Sequence, residues 1–343
     1  MCALRCIKIY LILFLLIVLF SSLEFGWSGH GAFTFLVIAN SGVNLNFRVS
    51  IRSKDFSENR IYRIGGNLAN FLEQDILGQN HRLIESYLKN SFGFLNNPPI
   101  DGTVPAWQIV AFYSMFPDIG IDDVKGFSWI QDNVLGDGHG LRHGKIKVGP
   151  IEVFEADRSF LYFMNLSRLL LISGNLYWGL RFFGYALHYL QDISQPYHVR
   201  PGTVLELFLY PFDTNTRNLL RNAHTAGDRL LAYLILYERE RLESLIRESK
   251  PTFFDSQNQL ILEAFMYSYY KFPKFHTMVK DTFGNLLFTR APSVEEMAYM
   301  KNNTKFNELV SYTLEMLSTI SGVIKGLLIE LAKELEAAYQ IGF

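Results

Sequence analysis

The segment HYLQDISQPYH, residues 188–198, places two histidines and an aspartate in a stretch that is otherwise rich in Leu, Phe and Tyr. Apolar residues recur at helical spacing here, so we predict two consecutive helices, over about 158–173 and 176–191. Helices this apolar lie in the interior of a protein. His188 and Asp192 are therefore expected to be buried, and the surrounding fold has to supply a partner for their charge.

Helical periodicity extends over most of the chain, without strand alternation, internal repeats or low-complexity tracts. The stretch from Gly120 to Pro150 is rich in glycine and has little periodicity, so it is interpreted as a long loop. At least two more helices are expected in the last hundred residues. The predicted fold class is mainly α, a single multi-helix domain, with further helices at about 67–91, 104–118 and 216–247, the last ending in a charged, solvated face.

Two histidine–aspartate pairs have the spacing of metal ligands. His188 and Asp192 are four residues apart, which places both side chains on one face of a helix, about 6 Å apart. The segment AHTAGDRLLAYL repeats this spacing with His224 and Asp228, and His198 follows the first pair closely. A single pair is usually an ion pair or a satisfied hydrogen bond. Two pairs on separate apolar helices favour a bound cation, and their nitrogen and oxygen donors suit zinc.

Further candidate donors lie upstream of these pairs. Two other histidines, His81 and His276, have no partner at ligand spacing and are interpreted as ordinary helix or surface residues. The additional candidates, in the motifs WSGHG, SMFPD and DGHGLRHG, are His30, Asp118, His139 and His143.

The N-terminus has the pattern of a secretory signal, in which basic residues precede an apolar stretch and then small residues. Residues 1–26 are therefore interpreted as a signal peptide, with an uncleaved membrane anchor as the alternative because no A-x-A cleavage site is present. Both cysteines, Cys2 and Cys6, lie in this leader. An exported chain beginning at Trp27 would have no disulfide, and would depend on its core, on metal, or on both.

The segment GYALHYLQDISQPYHV, with FPD upstream and a second His-x-x-x-Asp downstream, closely resembles the zinc-dependent phospholipase C and S1/P1 nuclease superfamily. The resemblance covers about 105–232 and the tryptophan at position 27. It implies an exported, mainly helical protein of the phospholipase C/P1 nuclease type that binds three zinc ions. Residues 27–343 would form this phosphodiesterase domain, and 235–343, which the resemblance does not reach, are interpreted as a helical extension.

Carried over to this sequence, the resemblance implies a ligand set for each zinc ion. The nitrogen ligand from DGHGLRHG is either of two histidines, with His143 preferred to His139. The amino group and carbonyl of Trp27 would be ligands because it would be the mature N-terminus. The implied sets are Asp118, His143 or His139, His188 and Asp192 for the first zinc; His198, His224 and Asp228 for the second; and Trp27, His30 and a bridging Asp192 for the third.

The activity implied by the resemblance is hydrolysis of phosphodiester bonds, with Asp118 as both ligand and catalytic base. The leading hypothesis is a phospholipase C that acts on phospholipid head groups, because the central segment is most similar to the bacterial phospholipases. A single-strand nuclease or 3′-nucleotidase is the alternative, favoured by the spacing of His30 and by Asp228 where the phospholipases have glutamate. A non-catalytic protein with structural zinc is a second alternative.

Composition limits the possible partners. The chain has 343 residues, 49% of them hydrophobic and 15% aromatic, so it can bury a large core and still expose rings that contact a membrane surface. Residues 27–343 carry a net charge of about −2, which gives no general attraction to nucleic acid. Nucleic acid is therefore expected as a substrate only under the nuclease hypothesis, and the sequence makes no prediction of oligomeric state.

Overall fold

The computed structural model describes residues 29–51, 100–115, 117, 143–148, 151–153 and 155–339. Within these residues the protein is mainly helical, which confirms the predicted fold class. The helices are α1 (His30–Ala39), α2 (Ala106–Tyr113), α3 (Ala156–Ile172), α4 (Leu176–Ile193), α5 (Pro196–Val199), α6 (Val204–Leu209), α7 (Thr214–Tyr237), α8 (Arg239–Glu248), α9 (Gln257–Phe283), α10 (Val294–Tyr299) and α11 (Thr304–Tyr339).

Short antiparallel strand pairs also occur in the described part of the chain. Strand β1 (Arg48–Ser50) pairs with β2 (Thr103–Pro105), and β3 (Ile146–Val148) pairs with β4 (Ile151–Val153). The absence of strand alternation in the sequence provided no sign of these strands, and β3 lies in the stretch interpreted as a loop. Each strand has three residues, which is too short to produce a recognisable alternation of apolar and polar side chains.

Helix α4 is the centre of the fold, and every residue from Tyr177 to Ile193 is buried. Helices α1, α2, α3 and α9 all pack against it. The turn from α3 into α4 contains Gly174, whose φ of 86° is readily adopted only by glycine. The predicted helices at about 158–173 and 176–191 are thus confirmed, and the apolar sequence of α4 matches its burial on all sides.

A close approach between α2 and α4 fixes the position of the histidine at 188. A Cβ atom on Gly184 would lie 2.7 Å from Val110 O and 3.2 Å from Ser114 N, so a larger residue would push the two helices apart. His188 lies one turn after Gly184, and its Nδ1 reaches Ser114 O at 2.9 Å. The glycine therefore brings the end of α2 within hydrogen-bonding distance of the imidazole.

Two predicted helices differ from the observed ones. Helix α2 begins at Ala106, directly after Pro105, and ends at Tyr113. It is therefore shorter at both ends than the predicted helix at about 104–118. The segment predicted as one helix at about 216–247 is divided at Glu238, where φ is −127° and ψ is 28°, into α7 and α8. Helix α8 is not simply a solvated face, because Leu242 and Ile246 are buried on its inner side. Charged residues that dominate the helix concealed this narrow apolar stripe.

The C-terminal helices pack on the same core as the central ones. A single cluster of buried apolar side chains extends from Ala32 to Leu335, and α11 contacts α1, α3, α8 and α9. The buried ammonium group of Lys325 donates to Ile246 O at 2.6 Å and Ser249 O at 2.9 Å. These bonds satisfy carbonyl groups at the end of α8, where no intrahelical donor is available.

Across the described ranges, every helix is too short or too polar to cross a membrane. The predicted leader, residues 1–26, and the predicted helix at about 67–91 lie outside the described residues.

Candidate metal centre

Four of the predicted ligands meet at the end of α4, and three more lie beside them. His30 begins α1, His143 precedes β3, and His188 and Asp192 lie on α4. His198 lies on α5, while His224 and Asp228 lie on one face of α7. All seven side chains are buried. Trp27, Asp118 and His139 lie outside the described residues, so their assignments stay predictions.

The first cluster surrounds the carboxylate of Asp192. Its Oδ2 lies 2.7 Å from His143 Nδ1 and 3.0 Å from His188 Nε2, and these two nitrogens are 2.8 Å apart. Its Oδ1 lies 3.2 Å from His30 Nε2. Ligand atoms of a tetrahedral zinc ion, with bonds of roughly 2.0–2.1 Å, are about 3.3 Å from one another. The cluster therefore has nearly the dimensions of a zinc ligand set, slightly contracted.

The second cluster contains His198, His224 and Asp228. Asp228 Oδ1 lies 3.6 Å from His198 Nε2, and Asp228 Oδ2 lies 3.5 Å from His224 Nε2. The rings of the two histidines are 4.9 Å apart between centroids. One donor atom from each of the three residues lies within 4.8 Å of the other two, which is close enough for a single ion to contact all three.

The two clusters adjoin each other. His198 Nδ1 lies 3.7 Å from Asp192 Oδ1, and it is 2.7 Å from the backbone carbonyl of His143. Asp192 thus faces His30 with one oxygen and both His143 and His188 with the other. A carboxylate that faces two sets of donors can bridge two metal ions, which is the role predicted for Asp192 from the resemblance.

Carbonyl groups hold three of the imidazole rings in one orientation. Ser114 O accepts from His188 Nδ1 at 2.9 Å, and His143 O accepts from His198 Nδ1 at 2.7 Å. Gln191 Oε1 lies 3.1 Å from His30 Nδ1, while the Gln191 amide donates to Thr34 Oγ1. Because a carbonyl oxygen only accepts, each Nδ1 carries the proton, and the lone pair of a neutral ring is on Nε2. Metal-binding histidines are commonly oriented in this way.

Burial and mutual charge shift the pKa values of the ligands in opposite directions. Burial lowers the pKa of His188 to about 3 and that of His224 to about 4, so both are neutral, as metal ligation requires. Burial alone would lower the pKa of His198, but the carboxylates of Asp192 and Asp228, together with the backbone carbonyl of His143, outweigh it and raise that pKa to about 9. Burial also opposes ionisation of Asp192, yet the neighbouring His188 and His198 hold its pKa well below the usual value.

The donor set fits zinc. Asp192 Oδ1 is buried and accepts no hydrogen bond among the described residues, although His30 Nε2 is only 3.2 Å away. A cation placed between these two atoms would stabilise the buried carboxylate oxygen. Imidazole nitrogen and carboxylate oxygen are ordinary zinc ligands. Zinc would be held by His143, His188 and Asp192, by His30 and Asp192, and by His198, His224 and Asp228.

Three supporting residues were missed by the sequence analysis. Gln191 positions His30, as described above, and Gln195 donates to Asp228 Oδ1 at 2.7 Å while accepting from the amide of Tyr197. The ring of Tyr197 stacks on His224 at a centroid distance of 5.6 Å. The two glutamines are conspicuous polar residues in an apolar stretch, and that signal could have identified them.

The interpretation of His276 as an ordinary helix or surface residue was incomplete. It is a buried residue of α9, and its Nδ1 lies 3.0 Å from the hydroxyl of Tyr197. Its Nε2 lies 3.0 Å from a carboxylate oxygen of Glu206, which also accepts from Lys280. Burial of Glu206 opposes ionisation, but these two partners hold its pKa well below the usual value. His276 therefore supports Tyr197 behind the second cluster; His81 lies outside the described residues.

Replacement of Gln195 tests the role of the supporting shell. Gln195→Ala is expected to weaken metal binding at the second cluster by about 10–100-fold, because Asp228 loses the donor that orients it. Competition titration with a zinc indicator dye would measure the change. Gln259→Ala is the matched control, since among the described residues the side chain of this half-buried glutamine bonds only near the start of α9. Equal zinc affinity in the two variants would contradict a positioning role for Gln195.

The chain was also compared with known proteins. No family model matches it, and no curated protein matches it in sequence. It is similar to the alpha toxin from Clostridium absonum, with a TM-score of 0.33 and 14% identity over 93% of this chain and 68% of the toxin. It is likewise similar to the Clostridium perfringens alpha-toxin from avian strain SWCP, with a TM-score of 0.32 and 15% identity over 93% and 67% of the two chains. Similarity this distant assigns neither a family nor an activity.

Proposed function

We propose that this protein is a zinc-dependent phosphodiester hydrolase of the phospholipase C type, which removes phosphorylated head groups from phospholipids. The observation that carries the proposal is the Asp192 carboxylate, whose two oxygens face different histidines. A carboxylate shared in this way, next to a second His–His–Asp set, is typical of metal sites that contain more than one ion. Sites with adjoining metal ions occur widely in enzymes that hydrolyse phosphate esters.

The same geometry argues against a purely structural zinc site. Structural zinc is usually enclosed by four protein ligands, often cysteines, around a single ion. Here both cysteines lie in the predicted leader, and the seven histidine and aspartate donors form two adjoining clusters. A multinuclear site of nitrogen and oxygen donors is better suited to binding the phosphoryl group of a substrate.

The residues of this chain would hold the metal ligands in a fixed orientation and surround the site with a medium of low dielectric constant. Zinc held in such a site supplies Lewis-acid stabilisation of phosphoryl oxygens and activates water. His30, His188 and His198 are each fixed by a carbonyl at Nδ1, so little reorganisation is needed when Nε2 binds. Burial around the clusters strengthens the electrostatic interactions with a phosphodiester. Asp118, which lies outside the described residues, is proposed as the base that orients the attacking water.

Side-by-side hydrolysis assays test the proposal. The purified, zinc-loaded protein is expected to release phosphocholine from phosphatidylcholine micelles, and a chelator should abolish the release. Single-stranded DNA is the parallel substrate, and chelator-sensitive release of nucleotides instead would favour the nuclease alternative. Absence of turnover on both substrates, with zinc bound, would contradict the proposed activity and favour structural zinc.

A further inference from the structure

Helix α6 and the turn after it are apolar on both sides. Leu207 and Tyr210 point inward and are buried. The outward side chains form an apolar ridge, and they are unusually exposed for their type: Val204 66%, Leu205 66%, Phe208 68% and Phe212 78%. The two phenylalanine rings contact each other, with centroids 6.3 Å apart. Residues four apart on a helix share a face, so Val204 and Phe208 continue the same surface.

The ridge is held firmly on the protein. Thr203 and Glu206 form a capping box at the start of α6. The Glu206 carboxylate also accepts from Lys280 at 2.7 Å and lies 3.0 Å from His276, both on α9. Glu206 is the acidic residue within α6, and its contacts with Lys280 and His276 offset its negative charge. The apolar side chains therefore project from a fixed helix.

Exposure of this kind is unusual on the surface of a soluble protein. Single exposed apolar residues are ordinary, and Tyr299 is an example elsewhere in the described part of this chain. Four large apolar side chains within nine residues, all on the solvent side, form a continuous patch. Such patches mark surfaces that bind a partner.

Basic side chains border the ridge. Arg217 donates to Pro211 O at 3.2 Å, and the positive charges of Arg217 and Arg221 both act on Tyr210 at the base of the ridge. Asp213 is the nearby carboxylate, and it is engaged by the backbone amides of the first turn of α7, which it caps. An apolar surface with arginines at its edge fits the boundary between acyl chains and phosphate groups in a lipid bilayer.

The ridge is also connected to the candidate metal centre. Val204 follows His198 by six residues in the chain. A chain of side-chain contacts leads from Glu206 through His276 to Tyr197, whose ring stacks on His224. The position of the ridge relative to the second cluster is thus fixed by packing.

We infer that the apolar ridge inserts into the surface of a phospholipid bilayer and holds the metal centre against the head groups. The inference rests on the proposed function for the identity of the substrate. Membrane binding can nevertheless be measured without turnover. Arg217 and Arg221 would contact lipid phosphates, while the four apolar side chains would lie among the upper parts of the acyl chains.

Replacement of the two phenylalanines tests the inference. In the full-length, zinc-loaded protein, Phe208→Ser with Phe212→Ser is expected to lower partitioning onto vesicles of phosphatidylcholine and phosphatidylserine by about tenfold or more, because two large apolar side chains no longer leave water. Vesicle sedimentation measures the change. Hydrolysis of vesicle lipid should fall in parallel, while hydrolysis of a soluble short-chain phosphodiester should be unchanged. Ile172→Ser with Tyr299→Ser is the matched control, because these residues lie outside the ridge and are at least as exposed as the two phenylalanines.

The possible outcomes separate this inference from the proposed function. Ridge-dependent vesicle binding without hydrolysis of either substrate would support the membrane surface and contradict the proposed activity. Hydrolysis of the soluble ester with equal vesicle binding by the ridge and control variants would overturn the membrane surface alone. A dimer that only the ridge variant dissociates, with vesicle binding unchanged, would assign the ridge to a second copy of the chain and also overturn the inference.

Discussion

Asp192→Asn is expected to reduce kcat/KM for phosphodiester hydrolysis by about 1,000-fold or more while leaving the helices folded. The substitution keeps the size of the side chain but removes the negative charge that faces His30 with one oxygen and both His143 and His188 with the other. Metal ions that stabilise a phosphoryl transition state are worth several kcal/mol, and each 1.36 kcal/mol corresponds to a factor of ten in rate. Elemental analysis should show that the metal shared through Asp192 is lost.

The control for this variant is Asp281→Asn on α9, which makes the same chemical change at an exposed position. Far-ultraviolet circular dichroism of both variants should match the parent protein, so that any loss of turnover can be attributed to the site. If Asp192→Asn were as active as the parent protein, the hypothesis that Asp192 bridges two metal ions would be contradicted. Loss of activity with full metal content would instead indicate that Asp192 acts on the substrate.

Removal of metal should lower the melting temperature of the protein by about 10 °C or more. A ligand that binds only the folded state at about 1,000 times its Kd stabilises that state by about 4 kcal/mol per site, and about 2–4 °C is expected for each kcal/mol in a domain of ordinary size. Chelation would leave buried histidines and aspartates facing one another without a cation. Differential scanning calorimetry before and after dialysis against chelator measures the shift.

Zinc should restore the original melting temperature, whereas magnesium, which prefers oxygen ligands, should not. The Asp192→Asn variant should show a smaller chelator effect than its parent because it begins with less metal. An unchanged melting temperature after verified loss of metal would contradict a metal-supported core.

Acidification should act in the same direction as chelation. His188 and His224 have folded-state pKa values of about 3 and about 4, below their ordinary value of 6.5. The unfolded state therefore binds more protons, so this contribution to stability is present above pH 6.5 and is lost as the pH falls towards these lower values. Protons also compete with metal for the same nitrogens. The melting temperatures of the zinc-loaded protein and of the chelator-treated protein should both decrease below about pH 6.5.

Much of the helical framework could be predicted from the sequence. The apolar period of α3 and α4 is long and regular, and Gly174 divides the two helices, so their extents were predicted closely. Short strands and the break at Glu238 were not predicted, because three-residue strands carry almost no pattern and charged residues concealed the inner stripe of α8. The leader and the segment around Asp118 lie outside the described residues, and the predictions made for them stand as predictions.

The candidate site, like the fold, has features that the sequence predicted and features that it did not. The i, i+4 spacing predicted that each His–Asp pair shares a helix face, because that distance is set by helix geometry alone. No local pattern predicts that Gln191 Oε1 orients His30 or that Gln195 holds Asp228, since these contacts join residues far apart in the chain. The contacts of His276 with Glu206 and with Tyr197 also join residues far apart in the chain, so no local pattern predicts them.

The sequence by itself determined the mainly helical class, the burial of α4 and the pairing of its histidine and aspartate, because these depend on periodicity within one segment. The tertiary structure alone decided that His30 and His143 meet the two oxygens of Asp192, and that α6 presents an apolar ridge to solvent. Side-chain packing between helices decides both features, and a single segment does not encode that packing.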